Sequence, residues 1–574
     1  MGTSITTAAW ANQPLSVVYP PDGHETAATK IFLIGTAPTE GEVTVNGEPI
    51  ARSAAGHFAP SFPLKLGENL FRLRHQSEEL TLRIVRTGTS VPSGNAFLSD
   101  SLMPASDIAR FPNEPICFSA IAPVSAQVSV TFNNQTIDLL PQSNAVALPP
   151  NSAVLTLNNQ PIPTTSTYQG CTVAETAGDL GIPEFQLTAN GTTVRQSGTG
   201  RVTVLSPAQV EVIEVTAESG TARTGPSTDF SRLTPLPKGT RSRVTGRDGE
   251  WLRLDYGGWI RETETQVIPD SGLPSTLIRS LRARQVEGWT EISFPLQVPV
   301  PVSVRPGNQT FTLTLHNTTA QTDTFLLNDD PVIERLDWQQ PTPGQVQYTF
   351  NLKSAQQWGY KLRYEGTTLV LSLRHPPQIG TNQDSKPLAG VRILLDPGHG
   401  GPEDLGARGP TGYPEKEVAL IVSQKLRDRL VAQGAEVLMT REGDIDLYPQ
   451  DRAAMINQLE PTLALSVHYN ALPDDGDAVN TAGIGTFWYN ADAHSLAVFL
   501  HQYLVDTLDR PSYGVFWNNL ALTRPTVAPA VLLELGFMIN PTEFEWIVDA
   551  EEQDRLANAL AAGVTQWLQT ASQP

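Results

Sequence analysis

At 574 residues the chain exceeds what one hydrophobic core can hold, and typical domain sizes imply about four domains. Its 40% hydrophobic and 17% charged residues exclude a disordered polymer. A formal charge of −20 excludes nucleic acid as the main partner, because nothing would neutralise the phosphates. No apolar run approaches the roughly 18 residues of a bilayer span.

The first fifteen residues, "MGTSITTAAWANQPL", have no basic or apolar leader, yet Ala9-Trp10-Ala11 has the form of a signal-peptidase site. Residues 1–15 are therefore expected to be the remnant of an export signal. From residue 16 to about 375 the chain reads as β-rich, with short alternating runs separated by Gly, Pro, Asn and Ser. A weak repeat recurs as "TVNGEPI" (44–50), "TFNNQTI" (131–137) and "TLNNQPI" (156–162). Asn46-Gly47 is a strong type I′ hairpin signal, since both residues tolerate positive φ, and the Asn-Asn copies are softer versions.

Residues 16–90, with "VYPPDG" and "LKLGENLFRLR", resemble immunoglobulin-like modules appended to bacterial secreted enzymes. His24, His57 and His75 form no constellation there and are expected at the surface. A second β sandwich is expected over 105–206. It contains both cysteines, Cys117 and Cys171, which either form one bridge in an oxidising compartment or are two unrelated thiols. Residues 212–269 carry Arg223-x-Gly225-Pro226-Ser227, Lys238-Gly239-Thr240, Gly249-x-Trp251 and Gly258-Trp259-Ile260. These resemble the bacterial Src-homology-3-like domain, a small barrel with glycine corners and an aromatic core. The resemblance implies wall-peptide or protein binding, with a plain spacer as the alternative. Another β module is expected over 272–375, followed by a turn-rich linker over 376–389.

Composition changes near residue 390. From Gly390 onwards 25 Asp and Glu face 11 Lys and Arg. "VRILLD" (391–396) reads as a buried strand. Over 416–434, Val418, Ile421, Val422, Leu426 and Leu430 share one helical face, and Gly434 is a C-cap candidate. Strands are predicted at "AEVLMT", "LALSVH" (463–468), "GIGTFWYN" and "AVLLELGF" (530–537), with helices between and after them. This alternation predicts an α/β domain over 390–572 with a twisted, largely parallel sheet flanked by helices. The expected fold class is thus multidomain: β-rich modules, sandwiches and a small barrel, followed by an α/β C-terminal domain.

Ligands gather at the carboxyl ends of strands in open α/β sheets. His399 lies just past one strand, His468 ends another, and Glu534 lies within the last apolar strand. Glu415 opens a helix, where the dipole favours an anion. Two histidines, a carboxylate and an open position make a catalytic zinc site. A lone carboxylate in an apolar strand is costly, so Glu534 requires a polar partner. His494 and His501 are expected on a helix surface.

"LLDPGHGG", "EKE", "LALSVHYNA" and "PAVLLELGF", in that order, resemble the zinc-dependent N-acetylmuramoyl-L-alanine amidases of bacterial cell walls. The resemblance covers the final domain only. It implies His399, Glu415 and His468 as ligands of one Zn2+ and Glu534 as the catalytic glutamate, with peptidoglycan as substrate. It also implies action at the cell wall, in the periplasm or after secretion, for wall remodelling or cell separation. A monomer is expected, with control from the β modules or a protein activator. Residues 272–375 are then similar to β-rich targeting domains that precede such amidases. The loop containing Glu403-Asp404-Leu405 departs from the family by about one residue, and Tyr469 stands where a small residue is usual; both are expected to reshape the cleft rim. Only about fifteen residues separate His468 from the next strand, too few for the inhibitory helix of some members, so an open cleft is expected. The alternatives are a zinc peptidase acting within the stem peptide and a non-enzymatic wall-binding scaffold.

Overall fold

The computed structural model describes residues 13–87, 94–142, 145–147, 162–164, 166–209, 211–269, 272–379 and 386–573. Ala9-Trp10-Ala11, nearly all of the 156–162 repeat and part of the expected linker lie outside them. The chain divides into two compact units. One comprises 1–89, 354–361 and 373–574, the other 90–353 and 362–372.

The second unit is built from β-strands. Cys117 and Cys171 lie opposite each other on antiparallel strands Ile116–Ile121 and Thr167–Thr172 and are joined by a disulfide. Asn133-Asn134 turns a hairpin with φ of 49° and 58°, as its sequence predicts. Strand Ile108–Arg110 pairs with strand Arg241–Asp248, so one sheet contains strands from both the 105–206 and the 212–269 segments. Trp251, Leu252, Leu254 and Ile260 are buried, consistent with an aromatic and aliphatic filling for a small β fold.

In the first unit, residues 13–87 form short strands around a core that includes Ile31, Leu33, Val43, Phe58, Leu73 and Ile84. Asn46-Gly47 again takes positive φ, 52° and 89°, between paired strands. His57 and His75 are buried, contrary to the surface expectation. A Thr36 hydroxyl partners His57 and the Glu40 carbonyl partners His75, which makes their burial tolerable. The segment 354–361 also belongs to this unit. Trp358 is buried against Trp567, their ring centroids 5.4 Å apart.

The elements from residue 390 are numbered here within their own domain: β1 Arg392–Pro397, α1 Glu415–Ala432, β2 Glu436–Met439, α2 Pro449–Leu459, β3 Leu463–Asn470, β4 Ile484–Trp488, α3 Ala491–Leu508, β5 Ser512–Trp517, β6 Ala530–Phe537, α4 Pro541–Ile547 and α5 Ala550–Ala571. They form a sheet of order β2-β1-β3-β6-β4-β5. Its pairings are parallel except β6 with β4, which is antiparallel. β1, β3 and β6 are near-continuous apolar runs, and their successive residues are buried on both faces of the sheet. Val418, Val422, Leu426 and Leu430 of α1 are buried in the domain core, and Ile421 is half-buried. Gly434 follows the helix at φ 98°, a left-handed C-terminal stop that glycine adopts without strain. β5 has no counterpart among the predicted strands. "SYGVFW" is a half-buried strand beside β4, and its glycine and mixed polarity obscure the signal.

Candidate metal centre

β1, β3 and β6 run side by side in the same direction, so their carboxyl ends lie together. His399 lies two residues beyond β1, His468 is the sixth residue of β3, and Glu534 faces His468 across the β3–β6 pair. The register shifts between His468 and Asn470. Such irregularities bend a strand end and re-aim its side chains. His399 itself takes φ 58°, a left-handed conformation that is uncommon for a non-glycine residue. The glycines around it have steric work. A Cβ on Gly398 would meet the His468 ring at 2.4 Å. A Cβ on Gly406, at φ 67°, would meet Glu415 Oε2 at 2.5 Å and His399 Cδ2 at 2.6 Å.

Glu415 opens α1 and is 3% exposed. Its carboxylate joins the two histidines: Oε2 lies 3.2 Å from His399 Nε2, and Oε1 lies 3.1 Å from His468 Nδ1. The backbone N–H of Ala407 donates to Oε2 at 2.8 Å, and that of Tyr469 to Oε1 at 2.9 Å. Burial alone would raise the Glu415 pKa. Bonds from His399 and His468 outweigh it and hold the carboxyl well below its usual range. At His399 burial pulls the pKa down, but Glu415 and Asp404 outweigh it and raise the imidazole to about 9.

One ligand atom from each of His399, Glu415 and His468 can be chosen so that all lie within 4.8 Å of one another. Such a donor set can hold a divalent metal and leave a coordination position for water or substrate. Glu534 Oε2 is buried with no hydrogen-bond partner. Burial first, and then the Glu415 charge, push the Glu534 pKa well above its usual value. A buried carboxylate oxygen without a hydrogen-bond partner beside a His-Glu-His donor set suits a site for a cation and a water, so these residues fit a metal.

Of the two departures noted in the sequence, Tyr469 acts differently from expectation. Asp404, from the lengthened loop, bonds His399 Nδ1 at 2.6 Å and so turns Nε2 towards Glu415. Glu415 keeps its place between the histidines. Tyr469 is 1% exposed and packs in the core, so it is no part of a rim. Its backbone, not its ring, serves the site.

Sequence reasoning missed the support beneath the centre. Asp396 is fully buried and accepts from Thr440 Oγ1 and Ser466 Oγ, each at 2.5 Å, and from Arg452 Nη1 at 2.8 Å. Arg452 also donates to the carbonyls of Pro397 and His399, both at 2.6 Å. Arg441 donates to the carbonyls of Gly398 and Lys416, at 2.8 Å and 2.7 Å. Lys416, between the two glutamates of "EKE", donates to the Gly401 carbonyl and to Asp444. Two guanidiniums and one ammonium therefore fix the backbone that carries His399. The available signal was "MTRE" and "PQDR", which place Arg441 and Arg452 after β2 and in α2. His494 is exposed as expected, whereas His501 is buried and bonds Ser512 Oγ at 2.9 Å.

Comparison with known proteins bears on this domain. The pattern of a family described as N-acetylmuramoyl-L-alanine amidase matches residues 393–566. The chain is 32% identical over 212 residues to the germination-specific N-acetylmuramoyl-L-alanine amidase of Bacillus subtilis, covering 33% of this chain and 85% of that one. It is 34% identical over 185 residues to the probable cell wall amidase LytH of Staphylococcus epidermidis, covering 32% of this chain and 60% of that one. A crystal structure of an N-acetylmuramoyl-L-alanine amidase from Clostridium difficile 630 is 29% identical, with a TM-score of 0.30, covering 31% of this chain and 97% of that one.

Proposed function

The chain belongs to the N-acetylmuramoyl-L-alanine amidase family, and from that premise we propose that its C-terminal domain cleaves the bond joining the lactyl group of N-acetylmuramic acid to L-alanine in peptidoglycan. Its reaction is hydrolysis of a peptidoglycan amide. The observation that carries the finer reading is the convergence of His399, Glu415 and His468 beside the unpartnered Glu534.

His399, Glu415 and His468 are the residues that would hold zinc. When bound, the ion supplies Lewis acidity towards the amide carbonyl and makes water more acidic. Asp404 orients the His399 ring through Nδ1, and the N–H groups of Ala407 and Tyr469 fix the Glu415 carboxylate. Glu534 is the proton carrier. Its Oε2 takes a proton from the attacking water and delivers it to the departing alanine nitrogen. Glu534 is the one half-buried residue of an otherwise buried strand β6.

Action at the cell wall, in the periplasm or after secretion, fits this substrate and the Cys117–Cys171 bridge. The segments 105–206, 212–269 and 272–375 are read as spacer and wall-targeting modules. Mass spectrometry of digested muropeptides tests the reading. Glycan freed of intact stem peptides is the expected product, and stem peptides trimmed at an internal bond would overturn it.

A further inference from the structure

The N-terminal β module, residues 13–87, belongs to the same compact unit as the catalytic domain and grips the segments that surround its centre. The Tyr19 hydroxyl donates to Asp474 Oδ1, and His24 Nε2 lies 3.0 Å from Asp474 Oδ2. Asp474 lies in the loop between β3 and β4, six residues after His468. Ser61 Oγ reaches the Gly476 carbonyl of the same loop at 3.4 Å. Beneath these polar contacts, Phe32, Ile34 and Ala59 form one buried cluster with Ala478 of the loop and with Phe537 and Ile539, which follow Glu534.

A second line of contact reaches the loop that carries Glu415. His57 packs edge-on against Phe544 of α4, centroids 5.3 Å apart. Phe544 in turn lies so close to Gly409 that a Cβ there would sit 2.1 Å from its ring. Ala55 N–H donates to Glu545 at 3.0 Å. The module therefore holds chain downstream of both His468 and Glu534, and it supports the helix that backs the His399–Glu415 loop. Apolar burial stabilises such an interface without fixing its register. The Tyr19–Asp474–His24 cluster supplies the direction. Bonds from Thr26, Tyr19 and His24 outweigh burial and hold the Asp474 carboxyl below its usual pKa, so it remains an acceptor.

We propose that the N-terminal β module is a working part of the amidase, and that Asp474, gripped by Tyr19 and His24, is a positioning residue that fixes the β3–β4 loop for substrate. In this role Tyr19 and His24 act through Asp474 and not on the reacting atoms. This inference rests on the amidase reading above. A loop displaced by about 1 Å can cost up to a hundredfold in rate when it positions substrate.

The test uses the full zinc-loaded chain and the variants Asp474→Ala, Asp474→Asn, Tyr19→Phe and the Tyr19→Phe/Asp474→Ala pair. Amide exchange over 471–483, zinc affinity and the kcat and KM for a soluble muropeptide are measured together. The expected result is at least about tenfold faster exchange in that loop and a kcat/KM lower by about tenfold, with zinc affinity within about twofold of wild type. The double variant should be no worse than Asp474→Ala alone, because Asp474→Ala already removes the Tyr19 bond along with that of His24. Asp474→Asn keeps an acceptor for Tyr19 and should recover part of the loss. If Asp474→Ala fails to fold, Tyr19→Phe removes the same contact with a smaller perturbation and decides the question. An active wild type whose kcat/KM is indifferent to these changes, or falls only as zinc is lost, overturns the positioning role alone. A zinc-loaded wild type that releases no peptide from glycan overturns the amidase reading, and this role with it.

Discussion

Asp396→Ala removes the buried carboxylate that pairs with Arg452 beneath His399. Asp396 is 1% exposed and Arg452 3%, so the pair is out of water on both sides. The substitution leaves the Arg452 charge without its counterion, and the Thr440 and Ser466 hydroxyls without their acceptor. Removing one partner of a buried ion pair costs about 3–5 kcal/mol, and the two hydroxyl losses overlap with that figure rather than adding to it. The damage also travels to the metal centre. Arg452 holds the His399 carbonyl at 2.6 Å, and His399 keeps a left-handed backbone worth about 1–3 kcal/mol of strain only while its surroundings enforce it. Zinc affinity should fall by about 10–100-fold, as it does when a support behind a ligand is lost. Urea unfolding of the zinc-free protein gives the stability term, and competition with a chelator gives the affinity. The pH dependence has a definite sign. Burial would raise the Asp396 pKa, but Arg452, Ser466 and Thr440 outweigh it and hold it below its ordinary value. Its contribution is therefore present above about pH 3.9 and is lost as pH falls through the lower folded value. The difference between wild type and Asp396→Ala should shrink in acid. A variant within about 1 kcal/mol of wild type with unchanged zinc affinity would refute the reasoning.

Two further outcomes follow from the centre's geometry. Gly406→Ala places a methyl group within 2.5 Å of Glu415 Oε2 at a positive φ, so zinc affinity should drop by about tenfold or more while the fold survives, as chelator competition and circular dichroism will record. In the metal-free protein His399 is raised to about 9, so its pairing stabilises the fold fully below about pH 6.5 and is lost as pH rises towards 9. Melting of the apo protein should therefore fall across that window, and the zinc-loaded protein should lack that decline, because metal ligation requires neutral imidazole.

Of the proposed site residues, His399, His468 and Glu534 were legible because each sits at a break in an apolar pattern. "LLDPGHGG", "LALSVH" and "LLELGF" interrupt buried strands with groups that no core accepts unpaired. What was not legible was whatever depends on partners far away in sequence. Asp396 reads as the end of a strand, and only the fold brings Arg452 to it, 56 residues on. Asp474 reads as one acid in "PDDGD", and its partners Tyr19 and His24 lie some 450 residues earlier. His57 and His75 read as surface residues because polarity is a poor guide where a single hydroxyl or carbonyl satisfies the ring. β5 does not read as a strand, because an edge strand with glycine and half-buried residues shows neither period clearly.

The most direct test of the central claim compares the zinc-loaded wild type with Glu534→Gln on purified peptidoglycan, with the products read by mass spectrometry. The account predicts that wild type releases intact stem peptides beginning with L-alanine. It predicts that Glu534→Gln is slower by about 10²–10⁴-fold while binding zinc at least as tightly, because only the proton carrier has been removed. Release at the wild-type rate by Glu534→Gln would contradict the claim.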